Sequence, residues 1–333
     1  MTSLRRTVLA ASFIFAAAIA WQSASRADEG GVSFWLPGLF GSLAAVPSTP
    51  GLSWTTLYYH TVPEANGSVP LQRGGVLAAG INAKVDAVVF GPTYTFATPF
   101  LGAQPALSLL GMVGRSEASI NATFVTPGGI VIPASLHDSR TDFGDLFPQA
   151  TLKWNQGVNN VLWYVTGDVP VGAYDSNRLA NIGIGHGAID SGIGYTYFDP
   201  KAGHEFSATT GFTYNFKNPA TQYQNGIDWH VDLGASQFLS KQVFVGAVAY
   251  YFKQISCDSG QPAAIGCFES RVAGAGPQIG FLFPLGGYEA ALLIKGYKEF
   301  DAKARPEGWN LWVALSISPA TPEPRAPSSL ARK

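Results

Sequence analysis

Charged residues are scarce in this 333-residue chain. Asp, Glu, Lys and Arg make up 13% of it, about half the share of a typical soluble domain. Two cysteines are too few for a disulfide-stapled miniprotein. A formal net charge of −1 offers nucleic acid no basic footprint. Long apolar runs are missing as well. Beyond the N-terminus, Lys, Asp, Asn or Gly interrupts every apolar segment short of the ~20 residues that a spanning helix needs. Yet 47% of the chain is apolar, which excludes disorder, because such a chain can bury ample surface. Glycine is abundant at 38 residues, as are aromatics, with 21 Phe, 13 Tyr and 8 Trp.

Arg5 and Arg6 precede an apolar run from Thr7 to Trp21, and small residues follow at Ser25 and Ala27. A basic n-region, a short h-region and a small-residue cleavage site predict a secretory signal peptide over 1–27. Ala20 closes a second possible cleavage site. The run is too short for a membrane anchor. Losing Arg5, Arg6 and Arg26 takes the 21 basic residues to 18 against 22 acidic ones, a net of −4.

From Gly51 onward the dominant signal is alternation. In 227–236, Ile227, Trp229, Val231, Leu233 and Ala235 alternate with Asp228, His230, Asp232, Gly234 and Ser236. A strand sends these two sets to opposite faces. The pattern recurs in Phe206/Ala208/Phe212/Tyr214, Val161/Trp163/Val165, Trp309/Leu311/Val313 and Ile81/Ala83/Val85/Ala87. It places strands at about 51–62, 72–98, 105–125, 142–155, 158–171, 185–198, 203–216, 225–239, 242–255, 268–284, 288–302 and 307–318. The connections alternate between short turns and longer, more polar loops. A soluble sandwich has no reason to sort its connections so, whereas an outer-membrane barrel has short periplasmic turns and long external loops. Aromatics gather near strand ends (Trp54, Tyr58, Tyr59; Tyr195, Tyr197, Phe198; Trp309, Trp312), where membrane girdles sit. The expected fold is all-β: a transmembrane antiparallel β-barrel of about 12 strands over 51–318. A short N-terminal plug segment at 28–50 precedes it, and a Pro-rich disordered tail at 319–333 follows.

Five blocks then become familiar: GGVSFWLPGLFGSLAAVP (30–47), TDFGDLFPQATLKWNQG (141–157), PVGAYDSNRLANIGIGHGAI (170–189), FTYNFKNPATQYQNGIDWHV (212–231) and DAKARPEGWNL (301–311). In order along nearly the whole mature chain, they resemble the outer-membrane proteins of the meta-cleavage pathway of phenol degradation, a transporter-like family. The resemblance implies a porin-like channel in the outer membrane of a Gram-negative bacterium that admits small hydrophobic or aromatic compounds. It brings no catalytic residues.

The plug segment holds Phe34, Trp35, Leu36, Leu39 and Phe40, too broken by Gly and Pro for a strand or helix. An exported chain will not leave these in open periplasm, so they are expected in the lumen. Two readings stand equally: a plug whose apolar face also meets an aromatic solute, or a mere seal of the periplasmic mouth. The alternation assigns to the lumen Lys84, Asp86, Asp145, Lys153, Asp168, Asp190, Glu205, Asp228, His230, Asp232, Glu289, Lys295 and Glu299. An acidic excess would favour cations or neutral solutes; alternatively these residues are internal ion pairs, the more economical reading for any one of them. Phe90, Phe147, Leu162, Tyr164, Phe244, Val248, Tyr250 and Phe252 are assigned to the same face. Apolar patches on a polar wall suit uncharged aromatics, although bulky residues also fill narrow barrels.

Cys257 and Cys267 flank one predicted external loop and read as a structural disulfide, worth about 2–3 kcal/mol by loop closure. Two ligands do not make a metal site. Gly183-Ile-Gly-His-Gly-Ala lacks the context of a nucleotide loop and reads as a flexible loop that could fold inward. No G-x-S-x-G or H-E-x-x-H occurs. The expectation is thus a non-enzymatic monomer with no cofactor, whose partners are the lipid bilayer and a small hydrophobic or aromatic solute taken up passively. A structural or adhesive barrel without transport is the alternative, with a barrel-embedded enzyme behind it.

Overall fold

The computed structural model describes residues 33–70, 76–125, 131–260 and 269–320. The predicted signal peptide, residues 28–32 of the plug, Cys267 and the tail beyond Ala320 lie outside the described residues. One side of the barrel is built from β1 (Gly51–Pro70), β2 (Val76–Thr95), β3 (Gln104–Val125) and β4 (Val131–Gln156). β5 (Asn159–Asp168), β6 (Ala188–Asp199) and β7 (His204–Asn215) follow. β8 (Tyr223–Gln224) pairs outside the barrel with β11 (Ser259–Gly260). β9 (Asp228–Phe238), β10 (Val243–Gln254), β12 (Arg271–Leu285), β13 (Tyr288–Lys303) and β14 (Glu307–Pro319) complete the circuit. Twelve strands form one closed barrel, in which β14 returns antiparallel to β1 with Val313 opposite Tyr58. Closure leaves no unpaired edge for lipid to meet.

β12 and β13 are joined by Gly286 and Gly287 alone, at φ of 54° and 86°. A two-residue hairpin that matches strand twist needs positive φ at both central positions, which glycine adopts without strain. This turn, the turns at 96–103, 157–158, 200–203 and 239–242, and both ends of the barrel share one rim. By the convention of outer-membrane barrels that rim is periplasmic. Pro319, expected in the tail, still pairs with Tyr288.

β5, β6, β7, β9 and β10 have 10 to 12 residues, close to the ~9–11 that a tilted strand needs to cross the bilayer. β1 to β4 have 20, 20, 22 and 26, so one wall rises well above the membrane. The strand expected at 142–155 therefore begins at Val131, and that expected at 51–62 runs to Pro70. Above the membrane, lipid no longer enforces alternation, but the backbone ladder continues.

The outer face carries Leu107, Leu109, Trp163, Ile193, Phe212 and Leu233, all exposed. Such an uncovered apolar band is stable only against lipid. The inner face is buried and mixed: on β5, Asn160, Leu162, Tyr164, Thr166 and Asp168 point inward while Val161 and Trp163 point out.

Several expectations on β1, β2 and β14 are corrected. Tyr59, Ala87 and Gly114 lie opposite one another and are buried, so Lys84 and Asp86, of opposite parity, face outward. There Asp86 accepts a hydrogen bond from Tyr58 at 2.6 Å and lies 2.7 Å from His60 and 3.4 Å from Lys84. Asp86 sits about nine residues from Thr95 at the periplasmic rim, roughly one bilayer crossing. At that height the outer face meets headgroups and water, so polarity no longer marks the lumen. By the same parity Phe90 turns outward onto Trp54. Tyr59 and Trp312, expected in a girdle, turn inward and pack at 4.4 Å. Glu289 keeps lumen parity but lies exposed at the rim.

Candidate functional site

Residues 33–48 thread the barrel as a chain of turns. Such a segment has no ladder of its own, so its backbone N–H and C=O groups must find partners in the wall. Asp232 on β9 accepts from the amides of Gly38 and Phe40 at 2.8 and 3.1 Å. Lys295 on β13 donates to the carbonyls of Gly38, Leu39 and Phe40 at 2.6, 3.2 and 3.0 Å. The two side chains bracket one turn of plug, the carboxylate taking its donors and the ammonium its acceptors. Glu205 accepts from the Leu43 amide at 2.9 Å, Thr196 from that of Ala45 at 3.0 Å, and Lys153 donates to the Val46 carbonyl at 2.9 Å. Gln104 exchanges two hydrogen bonds with the backbone of Ser48. At Gly38, φ is +88° and a Cβ would meet the rings of Tyr297 and Tyr250 at 3.0 to 3.1 Å, so the plug approaches the wall as only glycine can.

The apolar face of the plug has its own seat. The Trp35 ring lies 3.6 Å from that of His230, nearly parallel at 14°, and 5.9 Å from that of Tyr164. Phe40 packs on Tyr164 at 5.1 Å and Phe34 on Phe147 at 6.2 Å. Leu36 and Leu39 pack against the same buried cluster. His230 is oriented from behind by Asp190, 2.9 Å from its Nε2, and Thr213 donates to the same carboxylate oxygen at 2.6 Å.

Of the lumen charges expected from the sequence, Asp190 and His230 partner each other inside the barrel, 2.9 Å apart and fully buried. Asp232, Glu205, Lys153 and Lys295 hold plug backbone instead. Asp228 accepts from Asn215 at 2.9 Å. Asp168 is buried at the end of β5. Tyr250 donates to Glu299 at 2.7 Å and receives the Asn310 amide at 3.0 Å, while Phe244 packs on Phe238 at the periplasmic end. Ser236, on the polar face of β9, bonds Ser42 of the plug, whereas Thr196, Gln104 and Ser42, which also hold the plug or the wall, escaped the sequence reading. The signal for them was the plug itself: an irregular segment in a lumen demands polar wall partners at every turn.

Asp145 holds a different guest. Between Gly111 and Val113 of β3 the register shifts: Gly144 and Asp145 of β4 face the single Met112, a bulge that re-aims them, and both are buried. The Asp145 carboxylate accepts from the amides of Gly172 and Ile184 at 2.7 and 2.9 Å. The external loop between β5 and β6 is thereby drawn inward, and Ala180, Ile182 and His186 are buried. Two further external segments meet in the β8–β11 sheet, tied by Asp258 to Tyr223, Gly226 and Gln254; burial pushes the Asp258 carboxyl above its ordinary range. Cys257 in the same segment is disulfide-bonded. Among the described residues, no group of three or more His, Cys, Asp or Glu side chains could hold a metal ion.

Between plug and wall on the β2–β5 side remains a cavity of about 130 Å³. Phe40, Ala44 and Ser48 of the plug line one side of it, and Thr93, Gln149 and Lys153 are among the wall residues. The plug is anchored mainly to β6, β7, β9, β12 and β13, which leaves this opposite flank open.

The family model described as "Putative MetA-pathway of phenol degradation" matches residues 66–315. No curated protein matches the sequence. Among solved structures, an outer-membrane channel from Pseudomonas putida F1 superposes with a TM-score of 0.53 at 10% identity, covering 83% of this chain and 98% of that one. A Pseudomonas aeruginosa FadL homologue gives 0.41 at 8% identity, covering 80% and 90%. The CymD monoaromatic hydrocarbon channel gives 0.36 at 9%, covering 82% and 89%. The first of these likenesses bears on the fold.

Proposed function

The chain belongs to this phenol-degradation family, and on that premise we propose that it is an outer-membrane channel that passively admits small hydrophobic, chiefly aromatic, compounds. The observation that carries the proposal is the content of the lumen: a segment with an aromatic face, held by exchangeable hydrogen bonds, in the path a solute would take. Trp35 and Phe40 rest on Tyr164 and His230, and an aromatic solute can replace such a stacking partner ring for ring. Exported by its signal peptide and inserted as a monomer, the barrel would gather solute beneath the inward-drawn external loop. The solute would pass the aromatic seat as the plug yields and leave along the β2–β5 flank. This favours the plug that contacts solute over the plug that merely seals.

Vesicles with a lipopolysaccharide outer leaflet test the reading. The protein should speed entry of phenol and toluene several-fold over protein-free vesicles and leave a sugar of similar size little changed. Equal acceleration of all three would sink aromatic selectivity while leaving a channel. Acceleration of none would favour a structural barrel.

A further inference from the structure

The lining of the cavity beside the plug is chemically mixed. Phe40, Ala44 and Leu162 give it apolar surface, and Thr95, Thr151 and Gln149 give it polar groups. One charged side chain lines it, the ammonium of Lys153, and no carboxylate does. Lys153 forms no ion pair among the described residues, in a barrel whose other charges are mostly spoken for. Its hydrogen bond to the Val46 carbonyl uses one of the three N–H donors of an ammonium. A half-buried cation with a single neutral acceptor is under-compensated, and a carboxylate would supply the missing charge and accept the remaining donors. Size agrees: the cavity measures about 130 Å³, and an apolar cavity of roughly 150 Å³ takes up benzene in another protein.

We infer that this cavity is a binding site for a single-ring aromatic carboxylate, with the carboxylate on Lys153 and the ring against Phe40 and Leu162. The inference rests on reading the lumen as a solute path and names a solute class for it. Lys153 is then the specificity-determining residue of the last station before the periplasm. The acidic excess of the lumen does not oppose an anion here, because Asp232 and Glu205 are engaged by plug amides on the far wall.

Uptake of benzoate and of benzylammonium by proteoliposomes of the full chain, each measured above the entry into protein-free vesicles, tests this, since both carry one ring and their charges are opposite. The wild type should take up benzoate at least ~10-fold faster, the scale of one charge-assisted hydrogen bond. Lys153→Gln should lower the ratio of benzoate to benzylammonium entry by that factor, while Lys153→Arg should keep the preference. Equal uptake of the two ions by the wild type would overturn the inference. So would a parallel fall of both in Lys153→Gln, which would mean that Lys153 only positions the plug through Val46. Calorimetric titration of benzoate into the detergent-solubilised chain separates the site from the channel. If no aromatic enters vesicles, the transport reading fails, yet benzoate binding lost in Lys153→Gln and kept in Lys153→Arg would still support the site. Absence of benzoate binding to the wild type would refute it.

Discussion

Deletion of residues 29–48 should raise the conductance of the barrel in planar bilayers several-fold and give steady, ungated openings. Twelve strands enclose more space than the eight whose side chains fill a barrel by themselves, and less than the 16–18 of an open porin. Here the surplus is occupied by the plug. Removing it strips Asp232, Glu205, Lys153 and Lys295 of their backbone partners, but water enters with the same step and hydrates them, so no charge is left dry. None of the inter-strand ladder passes through residues 33–48, so the shortened chain should still fold and insert. Unchanged conductance would remove the plug from any gating role.

Trp35→Ala should have the next largest effect. The side chain is 1% exposed and stacked face to face on His230, and truncating a buried Trp to Ala typically costs about 3–5 kcal/mol. Because the loss falls on docking of the plug rather than on the ladder, it should shift the balance between docked and released plug by more than ~100-fold. Frequent openings should appear in single-channel traces, and the plug should become sensitive to protease added from the periplasmic side. The barrel's own unfolding temperature should change little. Trp35→Phe, which keeps a ring over His230, should be intermediate. A closed, protease-resistant Trp35→Ala would mean that the hydrogen bonds to Asp232 and Lys295 hold the plug unaided.

Alternation made the barrel legible because lipid and lumen impose opposite polarities on adjacent residues. On β9, where Trp229 and Val231 alternate with Asp228, His230 and Asp232, every inward residue could be named from the sequence. The same rule failed at Lys84 and Asp86, which sit where the outer face has left the hydrocarbon and charge is tolerated on either side. It also hid Tyr59 and Trp312, since an aromatic near a strand end fits a girdle or a lumen equally well. The lumen charges were found but their work was not. Alternation says that Asp232 and Lys295 point inward, and nothing local says that the turn at Gly38 will lie between them. That partnership spans nearly two hundred residues from plug to β9 and more to β13 and is decided by barrel closure, which a linear pattern does not encode. Asp145 is a further case, since a bulge in β4 against β3 sets its aim.

The central claim is that solute passes because the plug yields, and tethering it is the most direct test. The Ser42 and Ser236 hydroxyls lie 2.8 Å apart, close enough for cysteines placed there to bridge. In the Ser42→Cys, Ser236→Cys protein, oxidation should lower aromatic uptake by proteoliposomes several-fold, and reduction should restore it. The parent chain, which carries its own external disulfide, should respond to neither treatment. Equal uptake by the oxidised and reduced forms, with the bridge verified by mass, would contradict the account and leave the plug a fixed part of the wall.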